Sequence, residues 1–160
     1  MAYARILAFV LNIRRCTIAE LAASSNLADA LAEYASESGM PEIGEPGSNI
    51  AVYEPIEATG KFHSIAAFED DRLVGYLFFI VNVLPHYLVP TAVVESFFVL
   101  KAERPKGVGM KLMKLAEDIA AEFGASAILI SAPVGSSLSQ MLSLSKTHRH
   151  SNNVFVKALS

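Results

Sequence analysis

The chain has 160 residues, 52% hydrophobic and 18% charged, which supplies enough apolar surface for one core and too little charge for long disorder. Its formal charge of −3 lacks the Lys and Arg excess that phosphate backbones demand, so no nucleic-acid partner is expected. The single cysteine, Cys16, excludes an intramolecular disulfide and reads as a buried structural thiol in a reducing compartment. The apolar runs 6–11 and 73–84 are too short to span a bilayer, and the first lacks a cleavage pattern. The expectation is one domain over residues 1–160, cytoplasmic, with no membrane segment.

In chain order, residues 4–14 read as a strand, and Thr17 with Glu20 three residues later reads as a capping box that opens a helix. A second helix is predicted over 26–36 from the spacing of Leu27, Leu31 and Tyr34. The Pro- and Gly-rich stretch 39–60 reads as a long loop. Residues 63–68, the turn 69–72 and residues 73–83 read as an antiparallel hairpin, and a further strand follows over 92–100. The clearest helix spans 108–123, with Leu112, Leu115, Ile119 and Phe123 on one stripe and Gly124 as its left-handed cap. The apolar run 127–131 suggests a central strand buried on both faces. A short helix over 136–145 and a closing strand over 154–159 complete the pattern.

The feature richest in chemistry is Arg104-Pro105-Lys106-Gly107-Val108-Gly109, set between a strand and the longest helix. Glycines admit close backbone approach, and a first helical turn offers unpaired N–H groups at the positive end of the dipole, so the turn suits a phosphate or pyrophosphate. The spacing alone equally permits a plain strand-to-helix reversal. Leu112 stands where a dinucleotide fingerprint needs its third glycine, and no Gly-Lys-Ser/Thr is present for a nucleotide loop.

Strand, Arg-x-x-Gly-x-Gly, amphipathic helix and short apolar strand together resemble the GNAT superfamily of N-acetyltransferases. Segments 84–87, 95–99 and 149–152 resemble a bacterial and phage-associated branch of it. The resemblance covers about residues 14–159; Pro105, where many members carry Gly, departs from the pattern and removes one amide donor. It implies an α/β (α+β) fold with a mixed, twisted sheet of six to seven strands flanked by about four helices. It also implies acetyl-CoA as co-substrate, a small-molecule or protein amine as acceptor, and a homodimer, as is common among members.

On this resemblance the coenzyme is expected at Phe97, Phe98, Val99, Arg104, Lys106, Gly107, Val108, Gly109 and Met110, with backbone groups of Phe98 and Val99 holding the pantetheine arm. Glu95, a carboxylate in an apolar strand, is the expected general base, its proton affinity raised by burial. A solvent-facing or ion-paired strand residue is the alternative. The helix over 136–145 holds no tyrosine to protonate the leaving thiolate, which leaves Ser143, His148 or solvent. His86 and Tyr87 are either acceptor contacts or an exposed loop tip. His148 and His150 lack a third ligand, so no metal is expected, and Ser143-Leu144-Ser145-Lys146 is an accidental match to Ser-x-x-K. A non-catalytic acyl-CoA-binding or interaction module on the same fold is the competing function.

Overall fold

A computed structural model describes residues 10–159. A five-stranded sheet runs in the order β1 (Leu11–Arg15), β2 (Phe62–Glu69), β3 (Arg72–Leu84), β4 (Val89–Val99) and β5 (Ile128–Leu129). Successive pairs are antiparallel except β4 and β5, which are parallel. The helices are α1 (Ile18–Ala22), α2 (Leu27–Ser38), α3 (Glu54–Glu57), α4 (Val108–Glu122) and α5 (Ser137–Leu144), with 3-10 turns at Ile50–Tyr53 and Lys101–Lys106.

Each face of the sheet carries its own core. On one face α1, α2 and the first 3-10 turn cover Ala66, Tyr76, Phe78 and Phe98; on the other, α4 lays Val108, Leu112, Met113, Ala116 and Ile119 against Ile65, Val74, Leu77 and Phe79. Both faces of β2 and β3 are therefore buried, which is why their sequences read as nearly continuous apolar runs. The buried stripe of α4 is rotated from the expected one: Leu112 and Ile119 are buried, whereas Phe123 is half-exposed.

The capping box forms as expected, Glu20 N–H donating to Thr17 Oγ1 at 3.1 Å and Thr17 N–H to Glu20 Oε2 at 2.8 Å. Cys16 is buried beside Ser64 Oγ at 3.4 Å, and burial pushes its thiol up to about 11, as befits an unreactive structural residue.

Several expectations need correction. The described sheet has five strands instead of six to seven, and five α-helices replace about four. Residues 4–9 of the first predicted strand lie outside the described residues. The stretch 39–60 is not all loop, because Asn49 Oδ1 caps a 3-10 turn and Pro55 occupies the first turn of α3, where its missing N–H costs nothing. The predicted central strand is a two-residue edge strand with Leu129 41% exposed. Residues 154–159 form no strand and are exposed throughout.

Candidate active site

β4 and β5 pair only at Ala92 with Ile128 and Val93 with Leu129. Beyond that point β4 continues to Val99 while β5 ends, so the two strands part. A cleft of about 540 Å³ opens there, walled by Phe97 to Val99 on β4, by the end of α2 at Glu37 and Ser38, by Gly107, Gly109 and Met110 at the start of α4, and by Ser136 to Leu138 and Met141 around α5.

The turn preceding α4 depends on its glycines. Gly107 adopts the left-handed conformation (φ 74°) and its N–H closes the turn onto Arg104 O at 3.2 Å. A side chain at Gly109 would start 3.4 Å from Phe97 Cζ. No side chain caps α4, so the amides of Val108, Gly109 and Met110 have no intrahelical acceptor and stand at the positive end of the dipole.

The backbone of β4 alternates. Leu100 N–H donates to Val74 O at 3.0 Å, and with Phe98 opposite Tyr76 the antiparallel ladder turns the polar groups of Phe98 toward β3. Those of Phe97 and Val99 therefore face the parting from β5. Of the expected pair Phe98 and Val99, the ladder turns only Val99 toward the parting and turns Phe98 toward β3.

The two cations of the turn are already paired. Arg104 Nε donates to Val99 O at 2.9 Å and its guanidinium engages Glu37. Lys106 Nζ lies 2.5 Å from buried Glu103, which also faces Arg72 at 3.3 Å, and Arg72 reaches Glu69 at 2.9 Å. Lys106 and, behind it, Arg72 hold the Glu103 carboxyl below its usual range. This network ties the turn to the β2–β3 hairpin.

Glu95 is exposed, contrary to the expected burial. A bulge explains its direction: Phe78 pairs with Ser96 and Phe79 with Val94, so Glu95 is the extra residue and shares a face with Ser96. Tyr53 O–H lies 2.8 and 2.9 Å from the two carboxylate oxygens, and Ser96 Oγ donates to Oε2 at 2.5 Å. Tyr34 O–H donates to Ser96 Oγ at 3.3 Å. Tyr53 stacks on Phe62 with centroids 5.3 Å apart, and burial, reinforced by Glu95, pushes its hydroxyl up to about 12, so it stays a donor at neutral pH. Sequence reasoning missed Tyr53 because it lies in the stretch read as loop; the Asn49 cap was the available signal.

The remaining candidates lie apart. Ser143 Oγ donates to Ser139 O at 2.8 Å within α5. His148 sits between Ser145 Oγ at 2.8 Å and Glu117 on α4 at 3.2 Å. Neither lines the cleft, and Glu95 also lies outside its lining. His86 and Tyr87 occupy the turn before Val89, and six residues of strand, about 20 Å, separate that turn from Glu95. Among the described residues no group of three His, Cys, Asp or Glu is placed to hold a metal, and no helix is long and apolar enough to cross a membrane.

The family model for the acetyltransferase (GNAT) family matches residues 30–137, from α2 through the start of α5. The chain belongs to the GNAT acetyltransferase family. GNAT enzymes use acetyl-CoA as co-substrate, and the matched family is broader than the bacterial and phage-associated branch suggested by the short segments.

Solved structures share the fold. One is an aminoglycoside acetyltransferase from an uncultured soil metagenomic sample in complex with trehalose, with TM-score 0.71 and 20% identity over 94% of this chain and 97% of that one. Another is ribosomal-protein-alanine N-acetyltransferase from Brucella melitensis biovar Abortus 2308, with TM-score 0.66 and 19% identity over 93% and 100%. A third is glucosamine-6-phosphate N-acetyltransferase from Arabidopsis thaliana, with TM-score 0.64 and 12% identity over 92% and 99%. No curated protein matches the chain.

Proposed function

We propose that this GNAT protein transfers an acetyl group from acetyl-CoA to a primary amine by direct attack in a ternary complex. One observation carries the reading: the uncapped first turn of α4 opens onto a cleft whose other wall is the free edge of β4. In this reading the amides of Val108, Gly109 and Met110 take the diphosphate, and the backbone groups of Phe97 and Val99 take the pantetheine arm. Arg104 leaves Glu37 to reach the coenzyme, and Lys106 contributes from the rim.

Glu95 accepts a proton from the amine, whose nitrogen then attacks the thioester carbon. The C–N bond forms, the C–S bond breaks, and the thiolate takes its proton from solvent. Free amines of pKa about 10.4 are almost wholly protonated at neutral pH, so a fixed carboxylate serves the reaction. Tyr53 and Ser96 hold that carboxylate in one orientation.

The acceptor in this reading is a cationic amine. Residues 16–60 carry Glu20, Asp29, Glu33, Glu37, Glu42, Glu45, Glu54 and Glu57 with no Lys or Arg, and α2 from this segment borders the cleft. Such a field favours approach of a cation.

A second reading, an acyl-CoA-binding module without turnover, draws support from Ser143 and His148 lying outside the cleft, so that neither of the expected side-chain donors stands ready for the thiolate. Incubation of the protein and acetyl-CoA with a panel of primary amines, followed by free-thiol release, separates the two. Amine-dependent release is the expected result; tight coenzyme binding with no release on any amine sinks the transferase reading.

A further inference from the structure

Two carboxylates fasten the end of α2 to the turn before α4, and they are not equivalent. Glu33 Oε1 accepts the Lys101 N–H at 2.6 Å, and neither residue lines the cleft. Glu37 instead engages the guanidinium of Arg104, whose Nε donates to Val99 O at 2.9 Å, and both side chains line the cleft. Among the described residues Arg104 is the one cation paired with Glu37. Residues 16–60 supply no Lys or Arg to replace it.

α2 does not depend on that ion pair for its seat. Glu33 holds it to Lys101, and Tyr34 packs edge-on against Tyr76 and Phe98, with ring centroids 5.9 and 5.7 Å apart. The Tyr34 hydroxyl also donates to Ser96 Oγ at 3.3 Å. Once Arg104 turns to the coenzyme, α2 therefore stays and Glu37 is left on the cleft wall without a cation. It then shares the cleft with the diphosphate, and two anionic groups so placed favour a cation beside them.

Tyr34 also sets the scale. It stands one turn before Glu37 on α2, and its hydroxyl reaches Ser96, whose Oγ lies 2.5 Å from the Glu95 carboxylate. Glu37 and Glu95 are thus separated by little more than one tyrosine side chain, on the order of 10 Å. A single small acceptor with two nitrogens can reach both.

We propose, resting on the transferase reading, that Glu37 is a specificity residue for acceptors with two amines: it holds the second, unreacting ammonium, and the coenzyme uncovers it by taking Arg104. A primary amine that does not react stays protonated at neutral pH. It pairs with Glu37 while the other nitrogen gives its proton to Glu95 and attacks the thioester.

The test compares terminal diamines, from tetramethylenediamine to octamethylenediamine, with monoamines of equal chain length. Initial rates with acetyl-CoA are measured beside equilibrium titrations with and without coenzyme A. kcat/KM should favour the best diamine about fivefold, the scale of a half-exposed ion pair, and Glu37→Gln should bring that ratio near one. Coenzyme A should tighten diamine binding by about fivefold or more, and Arg104→Ala should give the tighter binding without it. Glu37→Gln should bind coenzyme A more tightly, because Arg104 no longer leaves a partner, and the diamine more weakly; a mere structural brace would lose both. Equal rates on diamine and monoamine, a preference that survives Glu37→Gln, or loss of both ligands in that variant overturns the assignment. No turnover on any amine removes the transferase reading instead, and the titrations then decide. Diamine affinity that follows coenzyme A and Glu37 sustains the subsite, and affinity indifferent to both overturns it.

Discussion

The two walls of the cleft differ in how firmly they are held. The β4 wall is paired to β3 from Val89 to Val99 and backed by the buried stripe of α4, while the Glu103 network fastens its turn to the β2–β3 hairpin. The opposite wall, Pro133 and Gly135 to Leu138 with Met141, follows β5, which has only two paired residues, and its loop carries Val134 fully exposed. If the cleft holds the coenzyme as proposed, one rigid surface fixes the thioester and the other side admits it. Rigid backbone amides lose little entropy when they bind a phosphate, which is the advantage of keeping them on the firm wall.

The largest effect expected on the firm wall is chemical. Glu95→Gln should lower turnover by about 10²- to 10⁴-fold, the usual scale for a general base, with coenzyme affinity unchanged in a binding titration; unchanged turnover removes Glu95 from the reaction. Next, Leu112→Ala should cost about 2–5 kcal/mol of unfolding free energy, whereas Val134→Ala on the other side should stay within about 0.5 kcal/mol. Equal losses in denaturant melts would erase the contrast between the walls.

Tyr53→Phe keeps the aromatic stack on Phe62 and removes the donor to Glu95. Turnover should fall about tenfold, equivalent to about 1.4 kcal/mol, with coenzyme affinity and melting temperature nearly unchanged. A loss confined to coenzyme affinity would place Tyr53 elsewhere in the cycle.

The smallest effect is a pH response. His63 is sandwiched between Phe79 and Phe123, at 5.0 and 4.2 Å, and burial, with Arg15 nearby, depresses its proton affinity. The unfolded ring binds a proton more readily, so this contribution to stability is present above about pH 6.5 and is lost as pH falls below it. His63→Leu should flatten melting temperature against pH in that window; an unchanged slope assigns the response to other groups.

What the sequence made legible follows from where local rules suffice. The capping box at Thr17, the hairpin turn at 69–72, the limits of α4 and the glycines at 107 and 109 are decided within a few residues, and each was readable. The bulge at Glu95 was not, because it is a mismatch of register between two strands. The same bulge turns Glu95 toward Tyr53, forty-two residues away in sequence, so the carboxylate was found and its partner was not. The pairing of Arg104 with Glu37 was hidden for the same reason. The runs 127–131 and 154–159 were misread, one as a buried central strand and the other as a closing strand, because strand-forming composition does not say whether a neighbouring strand is there to pair with it.

The α4 end is tested most directly by backbone amide resonances during titration with coenzyme A and, in parallel, with pantetheine, which lacks the diphosphate. The account predicts that coenzyme A shifts the amides of Val108, Gly109 and Met110 most, and that pantetheine moves Phe97 and Val99 but leaves those three nearly in place. Saturation by coenzyme A with the three helix amides unmoved would contradict it.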